Sequence, residues 1–155
     1  MPFVYFEDIY SNAERCAKIV PASEFQHDLD SGDLPQWWYY TPNLSNDGHD
    51  TDIDYVASYL QTEWLPRFKN SNITKDLAMV MTYDEDETSS IPNRVYAALI
   101  GDAIQPGPPN DTTTYSHYSL IKTVEDNWAL GSLNRNDTNA AIISMGTPKA
   151  WSQGQ

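Results

Sequence analysis

Apolar residues recur at helical spacing in three segments of the chain. The positions that carry this pattern are Phe25 and Leu29 in the first segment, Val56, Tyr59, Leu60 and Trp64 in the second, and Leu120, Val124 and Trp128 in the third. Gly32 follows the first segment as a helix terminator, Ser116 can cap the third, and Pro66 bends or ends the second. The spacing therefore predicts helices over residues 21–30 and 52–68 and after Ser116.

Continuous apolar runs predict strands between these helices. Residues 77–83 and 95–100 are almost wholly apolar, a pattern typical of strands buried on both faces, and the aromatic run over residues 36–40 favours a third strand. Strands that alternate with helices indicate an α/β sandwich with a mostly parallel sheet. In such a sheet, ligands bind at the carboxyl ends of the strands.

Size and charge indicate a single domain and exclude some classes of binding partner. With 155 residues, 40% of them hydrophobic, the chain can bury the core of a single domain, and we expect residues 1–155 to belong to one. A net charge of -13 with few, scattered basic residues argues against nucleic-acid binding and against stable contact with an anionic membrane. A phosphate-bearing substrate would meet this repulsion, which a bound metal cation can overcome. Acidity that serves only solubility is the alternative.

Four sequence motifs point to a secretory route. N-glycosylation patterns begin at Asn43, Asn72, Asn110 and Asn136, although chance matches in an Asn- and Thr-rich chain are the alternative. The single Cys16 cannot form a disulfide within the chain, and the sequence shows neither a signal peptide nor a stretch long enough to span a bilayer. We therefore expect a secreted glycoprotein whose signal peptide lies upstream of this chain.

Candidate metal ligands close one of the predicted strands. Asp84 and Glu85 follow the strand over residues 77–83 and begin an acidic run that ends at Glu87. A bare charge run is most often a solvated turn, but carboxylates fixed at the end of a buried strand suit a hard cation such as Ca²⁺ or Mg²⁺. Because neighbouring strand side chains point to opposite faces, both can bind one metal only if the backbone turns at Asp84.

Two of the three histidines occupy positions suited to chemistry. His49 lies in a Gly-containing turn in which Asp47 or Asp50 can orient its ring. His117 directly follows the expected N-cap of the third helix, after the second predicted apolar strand. His27 lies on the polar side of a short helix, and we expect it to be structural only.

Several separated motifs resemble those of one family. They are Tyr39-Tyr40-Thr41-Pro42-Asn43, Asn46-Asp47-Gly48-His49-Asp50, Thr82-Tyr83-Asp84-Glu85, Tyr115-Ser116-His117-Tyr118-Ser119 and Glu125-Asp126-Asn127-Trp128. In this order they resemble the fungal-type acid phosphatases of the phosphoesterase family, which also includes bacterial phospholipases C. The resemblance extends over residues 2–138.

The resemblance implies an alkaline-phosphatase-like α/β/α sandwich, here incomplete, of which this chain is the C-terminal portion. It matches Asp84 and Glu85 to the later pair of metal ligands of the family, and His49 and His117 to histidines that line the phosphate site. The earlier metal ligands and the Ser or Thr nucleophile of the family lie in an N-terminal half that has no counterpart here. Phospholipase-like relatives have His-Gly-Gly after the Asp-Glu pair, whereas this chain has Asp86-Glu87-Thr88, which favours the acid phosphatase branch.

The expected function is metal-dependent hydrolysis of small phosphomonoesters at acid pH. His49 and His117 would act as phosphate clamps or leaving-group acids, because imidazole is mostly protonated in acid. The isolated chain is expected to be inactive, since the nucleophile is missing. Three alternatives stay open: phospholipase C-type cleavage of phosphodiesters, a fragment or pseudoenzyme, and a secreted carbohydrate-binding module. The last requires alternating exposure of the rings of Trp37, Trp38, Tyr39 and Tyr40.

Overall fold

The computed structural model describes residues 2–69, 71–88, 92–105 and 111–145. The chain divides into two compact units, Met1–Ile73 and Thr74–Gln155. The expectation that residues 1–155 belong to one domain stays a prediction. None of the described helices is long and apolar enough to cross a membrane.

The first unit is helical in its described part. It contains a 3₁₀ helix Pro2–Tyr5, α1 Glu7–Tyr10, α2 Ala13–Cys16, α3 Phe25–Ser31, α4 Ile53–Tyr59, a π-helix Leu60–Trp64 and α5 Pro66–Lys69. Helix α3 confirms the helix predicted within residues 21–30, although it starts only at Phe25. It ends at Gly32, whose φ of 78° is left-handed and is adopted most readily by glycine.

The predicted helix over residues 52–68 is confirmed as three successive helical segments. Asp52 caps the first of them, α4, with its side chain. Pro66 has no N–H, and the turn before it widens to the π-helix, in which the Leu65 N–H donates to Leu60 O at 2.9 Å. The proline therefore interrupts the helical pattern, and α5 starts at it.

Aromatic rings form the core of the first unit. The centroid of the Phe25 ring lies 4.9–5.9 Å from those of Trp38, Tyr40, Trp64 and Phe68. Residues 36–40 belong to no strand, so the strand predicted there is wrong. Tyr40 instead stacks on Trp64 with centroids 4.0 Å apart, and its hydroxyl lies 3.1 Å from that of Tyr59. Burial above all, and then this hydrogen bond, raise the pKa of Tyr59.

A strand pair and one long helix dominate the second unit. A 3₁₀ helix Asn72–Asp76 precedes β1 Met79–Thr82, and β2 Ala97–Ile100, α6 His117–Trp128 and a 3₁₀ helix Asn136–Asn139 follow. The two strands confirm the positions of the two predicted apolar strands and pair antiparallel, with Met79 opposite Ile100 and Thr82 opposite Ala97. The burial expected on both faces is wrong for β2, in which Ala97 and Leu99 are exposed. Helix α6 confirms the predicted third helix.

The mostly parallel sheet expected from the sequence is not confirmed, because the strand pair that the described residues contain is antiparallel. Parallel neighbours need a crossover that is usually a helix, and the described part of the connection between β1 and β2 holds none. The helices and the small sheet are compatible with an incomplete α/β fold.

Gly101 brings the end of β2 against the start of β1. Its φ is 129°, and a Cβ at this position would lie 2.0 Å from the carbonyl oxygen of Leu77. The same oxygen accepts the Ala103 N–H at 3.2 Å. The close approach therefore requires glycine, and it fixes the strand pair at the end opposite to Asp84.

Candidate metal and phosphate site

The chain bends immediately after β1. Asp84 and Glu85 are exposed in this bend, and the Glu85 N–H donates to Oδ1 of Asp84 at 3.0 Å. The sequence requires a turn here if the two carboxylates are to serve one ion, and that turn is confirmed.

Asp86 organises the loop that follows. Its Oδ1 accepts the N–H and the hydroxyl of Thr88 at 3.1 and 2.9 Å, and its Oδ2 accepts the Arg94 N–H at 3.3 Å. Its own N–H donates to Oδ1 of Asn93 at 2.8 Å. The Thr88 hydroxyl above all lowers the pKa of Asp86. The sequence prediction did not single out Asp86, although Asp-x-Thr spacing is typical of turns closed by a side chain.

Two side chains hold the backbone carbonyl of Asp84. Nδ2 of Asn93 donates to it at 3.2 Å, and Nε2 of His117 lies 2.9 Å from it. A carbonyl oxygen can only accept, so Nε2 of His117 carries a hydrogen. The second unit therefore brings the His117 imidazole to the bend that carries the two carboxylates.

The start of α6 fixes the position of His117, its first residue. Ser119 is buried, and its Oγ accepts the Ser116 N–H at 3.1 Å. The Thr123 hydroxyl donates to Ser119 O at 2.6 Å one turn further on. The first turn is thus closed on both sides of the histidine, as a capping box closes a helix start.

The carboxylates of Asp84 and Glu85 suit a hard divalent cation as part of a ligand set. Ca²⁺ takes about six to eight oxygen ligands, more than two adjacent carboxylates supply. Among the described residues, no three His, Cys, Asp or Glu side chains come together in a group that could hold a metal ion. A complete metal site therefore needs ligands beyond those that the described residues bring together.

His49 lies in a loop of the first unit that is held together by side chains of the loop itself. Oδ1 of Asp47 accepts the His49 N–H at 2.9 Å, and Oδ1 of Asp50 lies 3.0 Å from Nδ1 of His49. Gly48 has a φ of 100°, and a Cβ there would lie 3.1 Å from Cγ2 of Val56. Asp47 thus fixes the backbone and Asp50 orients the ring, in the Gly-dependent turn that the sequence predicts.

The four predicted site residues are divided between the units. Asp84, Glu85 and His117 belong to the second unit and His49 to the first. A cavity of about 360 Å³ in the second unit and one of about 700 Å³ in the first are lined by other residues. The roles of the four residues as metal ligands and phosphate-binding groups stay predictions.

Two carboxylates that the sequence prediction did not single out stabilise the chain after α6. Asp137 is fully buried and accepts the Ser132 hydroxyl and the N–H groups of Leu133 and Arg135. The bond from Ser132 contributes most to lowering the pKa of Asp137. Glu125, also buried, accepts the Leu133 N–H at 3.2 Å. The motif that contains Asp137 predicts only glycosylation, and nothing in it signals burial.

The run of four aromatic residues in the first unit exposes alternate rings. Trp37 and Tyr39 are 46% and 52% exposed, whereas Trp38 and Tyr40 are half-buried. Phe3 stands edge-on to both exposed rings, with centroids 6.0 and 5.7 Å away. The alternation required of a stacking surface is therefore present.

The chain is similar to several curated fungal proteins. It is 37% identical over 146 residues to the acid phosphatase of Aspergillus fumigatus, covering 93% of this chain and 33% of that protein. It is 38% identical to the phosphate-repressible acid phosphatase of Penicillium chrysogenum and 34% identical to the probable acid phosphatase of Kluyveromyces lactis, covering 35% of each. The chain thus spans about a third of the length of these relatives. No solved structure matches the chain.

The sequence profile of the Phosphoesterase family matches residues 5–131. This range contains all four predicted site residues and most of the chain. The resemblance inferred from the separated motifs is therefore confirmed, and the chain belongs to the Phosphoesterase family.

Proposed function

We propose that this chain contributes part of the active site of an acid phosphatase that hydrolyses phosphomonoesters with the help of a divalent metal, Ca²⁺ or Mg²⁺. The observation that carries the proposal is the 2.9 Å contact between Nε2 of His117 and the carbonyl of Asp84. This contact joins an N–H of the His117 ring to the backbone of the bend in which Asp84 and Glu85 are exposed. Membership of a family whose curated relatives are named acid phosphatases supports the reaction class.

In this proposal each residue type has a separate task. Asp84 and Glu85 would hold the metal, which when bound would supply positive charge that stabilises the transition state. Nε2 of His117 stays on the Asp84 carbonyl, and Nδ1, when it also carries a proton, donates to a phosphate oxygen or to the leaving group. The family resemblance also matches His49 to a phosphate-binding histidine, and Asp50 holds its ring in the loop of the first unit.

A hybrid enzyme tests these roles. This chain replaces the matched third of the A. fumigatus acid phosphatase, and hydrolysis of p-nitrophenyl phosphate is measured with and without EDTA. We expect activity that EDTA abolishes and that His117→Ala lowers by about 10² to 10⁴ in kcat/KM, the usual size of general acid catalysis. Glu85→Gln should raise the metal concentration needed for activity, whereas the exposed control Asp33→Asn should leave it unchanged.

The same hybrid separates phosphatase from phospholipase-type chemistry. Preference for bis(p-nitrophenyl) phosphate over the monoester would contradict the proposed substrate class. An active hybrid that tolerates both Glu85→Gln and EDTA would contradict the metal role. An active hybrid unaffected by His117→Ala would remove the histidine from the chemistry.

A secretory route belongs to this proposal. Asn43 and Asn136 begin glycosylation motifs and are exposed in the structure. Asn110 lies outside the described residues, as does the side chain of Asn72. Treatment of the native product with an N-glycosidase should lower its mass, and an unchanged mass would contradict glycosylation.

A second candidate function follows from the exposed rings of Trp37 and Tyr39. Their centroids lie 6.3 Å apart, and the inward rings of Trp38 and Tyr40 anchor the same backbone in the aromatic core. Rigid, half-exposed aromatic faces of this kind suit the apolar face of a neutral sugar. Under this candidate the chain binds polysaccharide.

Retention on insoluble polysaccharide tests this candidate. Trp37→Ala should reduce retention of the chain, and Tyr10→Ala, at a ring that is 56% exposed elsewhere in the unit, should not. Equal retention of both variants and the unchanged chain would rule out a stacking site at Trp37.

A further inference from the structure

The cavity of about 360 Å³ in the second unit is lined by uncharged side chains. It lies between the start of α6 and residues 136–141, and the described residues that line it are five that carry a hydroxyl, two asparagines and two alanines. The chain contains 22 Asp and Glu residues, so this lining differs from the rest of the molecule. A charged ligand would find no counter-charge in it, whereas a neutral ligand with several hydroxyl groups can exchange hydrogen bonds with it.

The size of the cavity and its tyrosines narrow the ligand further. Small-molecule sites measure about 300–1,000 Å³, so this cavity has room for a single sugar ring. Tyr115 and Tyr118 line it, and both are exposed. The Tyr115 hydroxyl donates to Oδ2 of Asp111 at 2.7 Å, which holds that ring in place. Exposed aromatic rings beside hydroxyl and amide groups suit a sugar, which has an apolar face and a polar edge.

One residue of the lining also begins a glycosylation motif. Asn136 is the first residue of the 3₁₀ helix Asn136–Asn139 and is exposed. In the motif that begins at Asn43, Oδ1 of Asn43 accepts the N–H groups of Ser45 and Asn46 at 3.2 and 2.9 Å. Within the described part of the chain, the side chain of Asn136 makes no such bond. Its amide is therefore free to carry a sugar beside the cavity.

The residue after Asn136 fixes the position of the motif. Asp137 is fully buried and accepts the N–H groups of Leu133 and Arg135 at 3.0 and 2.8 Å. A group attached to Asn136 would therefore start from a fixed point next to the cavity. Little freedom is lost when such a tethered group packs, and the tether raises its effective concentration at the cavity.

We propose that the first N-acetylglucosamine of an N-linked glycan on Asn136 packs into this cavity. The inference rests on the secretory route of the proposed function. Nδ2 of Asn136 would bond to the anomeric carbon of a sugar carried on a lipid diphosphate, the amide would lose one proton, and the diphosphate would leave. The acetamide of the sugar would exchange hydrogen bonds with the Asn139 amide, and its apolar face would cover the Tyr118 ring. The sugar would thereby stabilise the start of α6, the turn that carries His117.

Stepwise removal of the glycan tests the proposal without any measurement of phosphatase activity. The full chain is secreted from a yeast host, and peptide mass spectrometry establishes which motifs are modified. An endoglycosidase that cleaves after the first sugar leaves that sugar on Asn136, whereas Asn136→Gln removes the whole glycan without adding a charge. The readout is hydrogen exchange at the N–H groups of Ser119 and Ala140, which donate to Ser116 O and Asp137 O. Trimming should leave this exchange unchanged, and Asn136→Gln should speed it about fivefold, the size of one net hydrogen bond.

Two tyrosine variants locate the contact. In Tyr118→Ala the ring that lines the cavity is missing, so loss of the glycan should no longer change the exchange of these amides. Tyr96→Ala changes a more exposed ring of the same unit outside the cavity, and loss of the glycan should still speed the exchange about fivefold in this variant.

The proposal is overturned if Asn136 is unmodified in a product that carries a glycan on Asn43, a result that would leave the secretory route intact. It is also overturned if exchange is the same with and without the first sugar, or if the sugar has the same effect in both tyrosine variants. A secreted product without a glycan on any motif would overturn the glycoprotein expectation together with this inference.

Discussion

Replacing Gly101 by Ala tests whether its close approach to Leu77 stabilises the pair of strands β1 and β2. A residue with a Cβ at a φ of 129° costs about 1–3 kcal/mol. The new Cβ would lie 2.0 Å from the Leu77 carbonyl oxygen, which must therefore move away. That movement breaks the hydrogen bond from the Ala103 N–H, worth about 1 kcal/mol. We therefore expect the strand pair to lose about 2–4 kcal/mol of local stability.

Gly131→Ala is the matched control in the same unit. Gly131 also has a positive φ, 88°, but an added Cβ would meet nothing within 4 Å, so the change should cost only about 1–2 kcal/mol. Hydrogen exchange measures the effect as a local opening free energy for the amides of Met79–Thr82 and Ala97–Ile100. Protection of these amides should fall strongly in Gly101→Ala and little in Gly131→Ala. Equal loss in the two variants would refute the inferred clash with Leu77.

Three further changes test the loop, the helix start and the aromatic core. The fold lowers the pKa of Asp86, so the stability that Asp86 contributes is present above the pKa of an unfolded Asp and is lost as the pH falls through the folded value. We therefore expect the protection of the Thr88 and Arg94 amides against hydrogen exchange to fall in that acid range. Asp86→Ala should remove this pH dependence. Ser119→Ala removes the acceptor of the Ser116 N–H and should destabilise the first turn of α6 by about 1 kcal/mol, again seen by hydrogen exchange. Phe25→Ala should lower the free energy of unfolding by about 3–5 kcal/mol, measured by urea unfolding followed by tryptophan fluorescence. Phe25→Leu should lower it clearly less, because the leucine still fills much of the space. Equal losses for the two variants would argue that the ring itself adds nothing to the core.

Local signals in the sequence predict elements that need no distant partner. Gly32 terminates α3 and Ser116 precedes α6, because caps act within one turn of their own residue. The aromatic run over residues 36–40 fails as a strand because β-propensity reports a half-buried surface, which α3 and Trp64 provide without a neighbouring strand. The direction of the β1–β2 pairing depends on the path of the connection, which apolar runs do not encode.

In the candidate site, too, the sequence predicts local features but not the contacts between distant residues. The bend at Asp84 is predicted from the hypothesis that the two adjacent carboxylates share one ion, since neighbouring side chains of a strand point to opposite faces. The contact of His117 with the Asp84 carbonyl joins residues 33 apart, and no spacing rule encodes it; only the family resemblance places the two residues in one site. The sequence does not distinguish Asp86 from the acidic residues beside it, because what sets it apart is its hydrogen bonds to Thr88 and Arg94, which form only in the fold.

In the acidic run after β1, two carboxylates are exposed and a third holds the loop together. This arrangement favours a cation over a bare phosphate as the ligand. Asp84 and Glu85 face solvent, while Asp86 closes the loop, and its lowered pKa keeps it negatively charged to a lower pH than an unfolded Asp. Three adjacent negative charges in a chain of net charge -13 repel one another and would repel a phosphate. Under the proposed function, a divalent cation held by Asp84 and Glu85 would relieve both repulsions, because it would neutralise the carboxylates and present positive charge to the substrate. Under the proposed function, the exposed pair Asp84 and Glu85 is therefore where a cation would bind, and Asp86 holds the backbone of the loop that follows the pair.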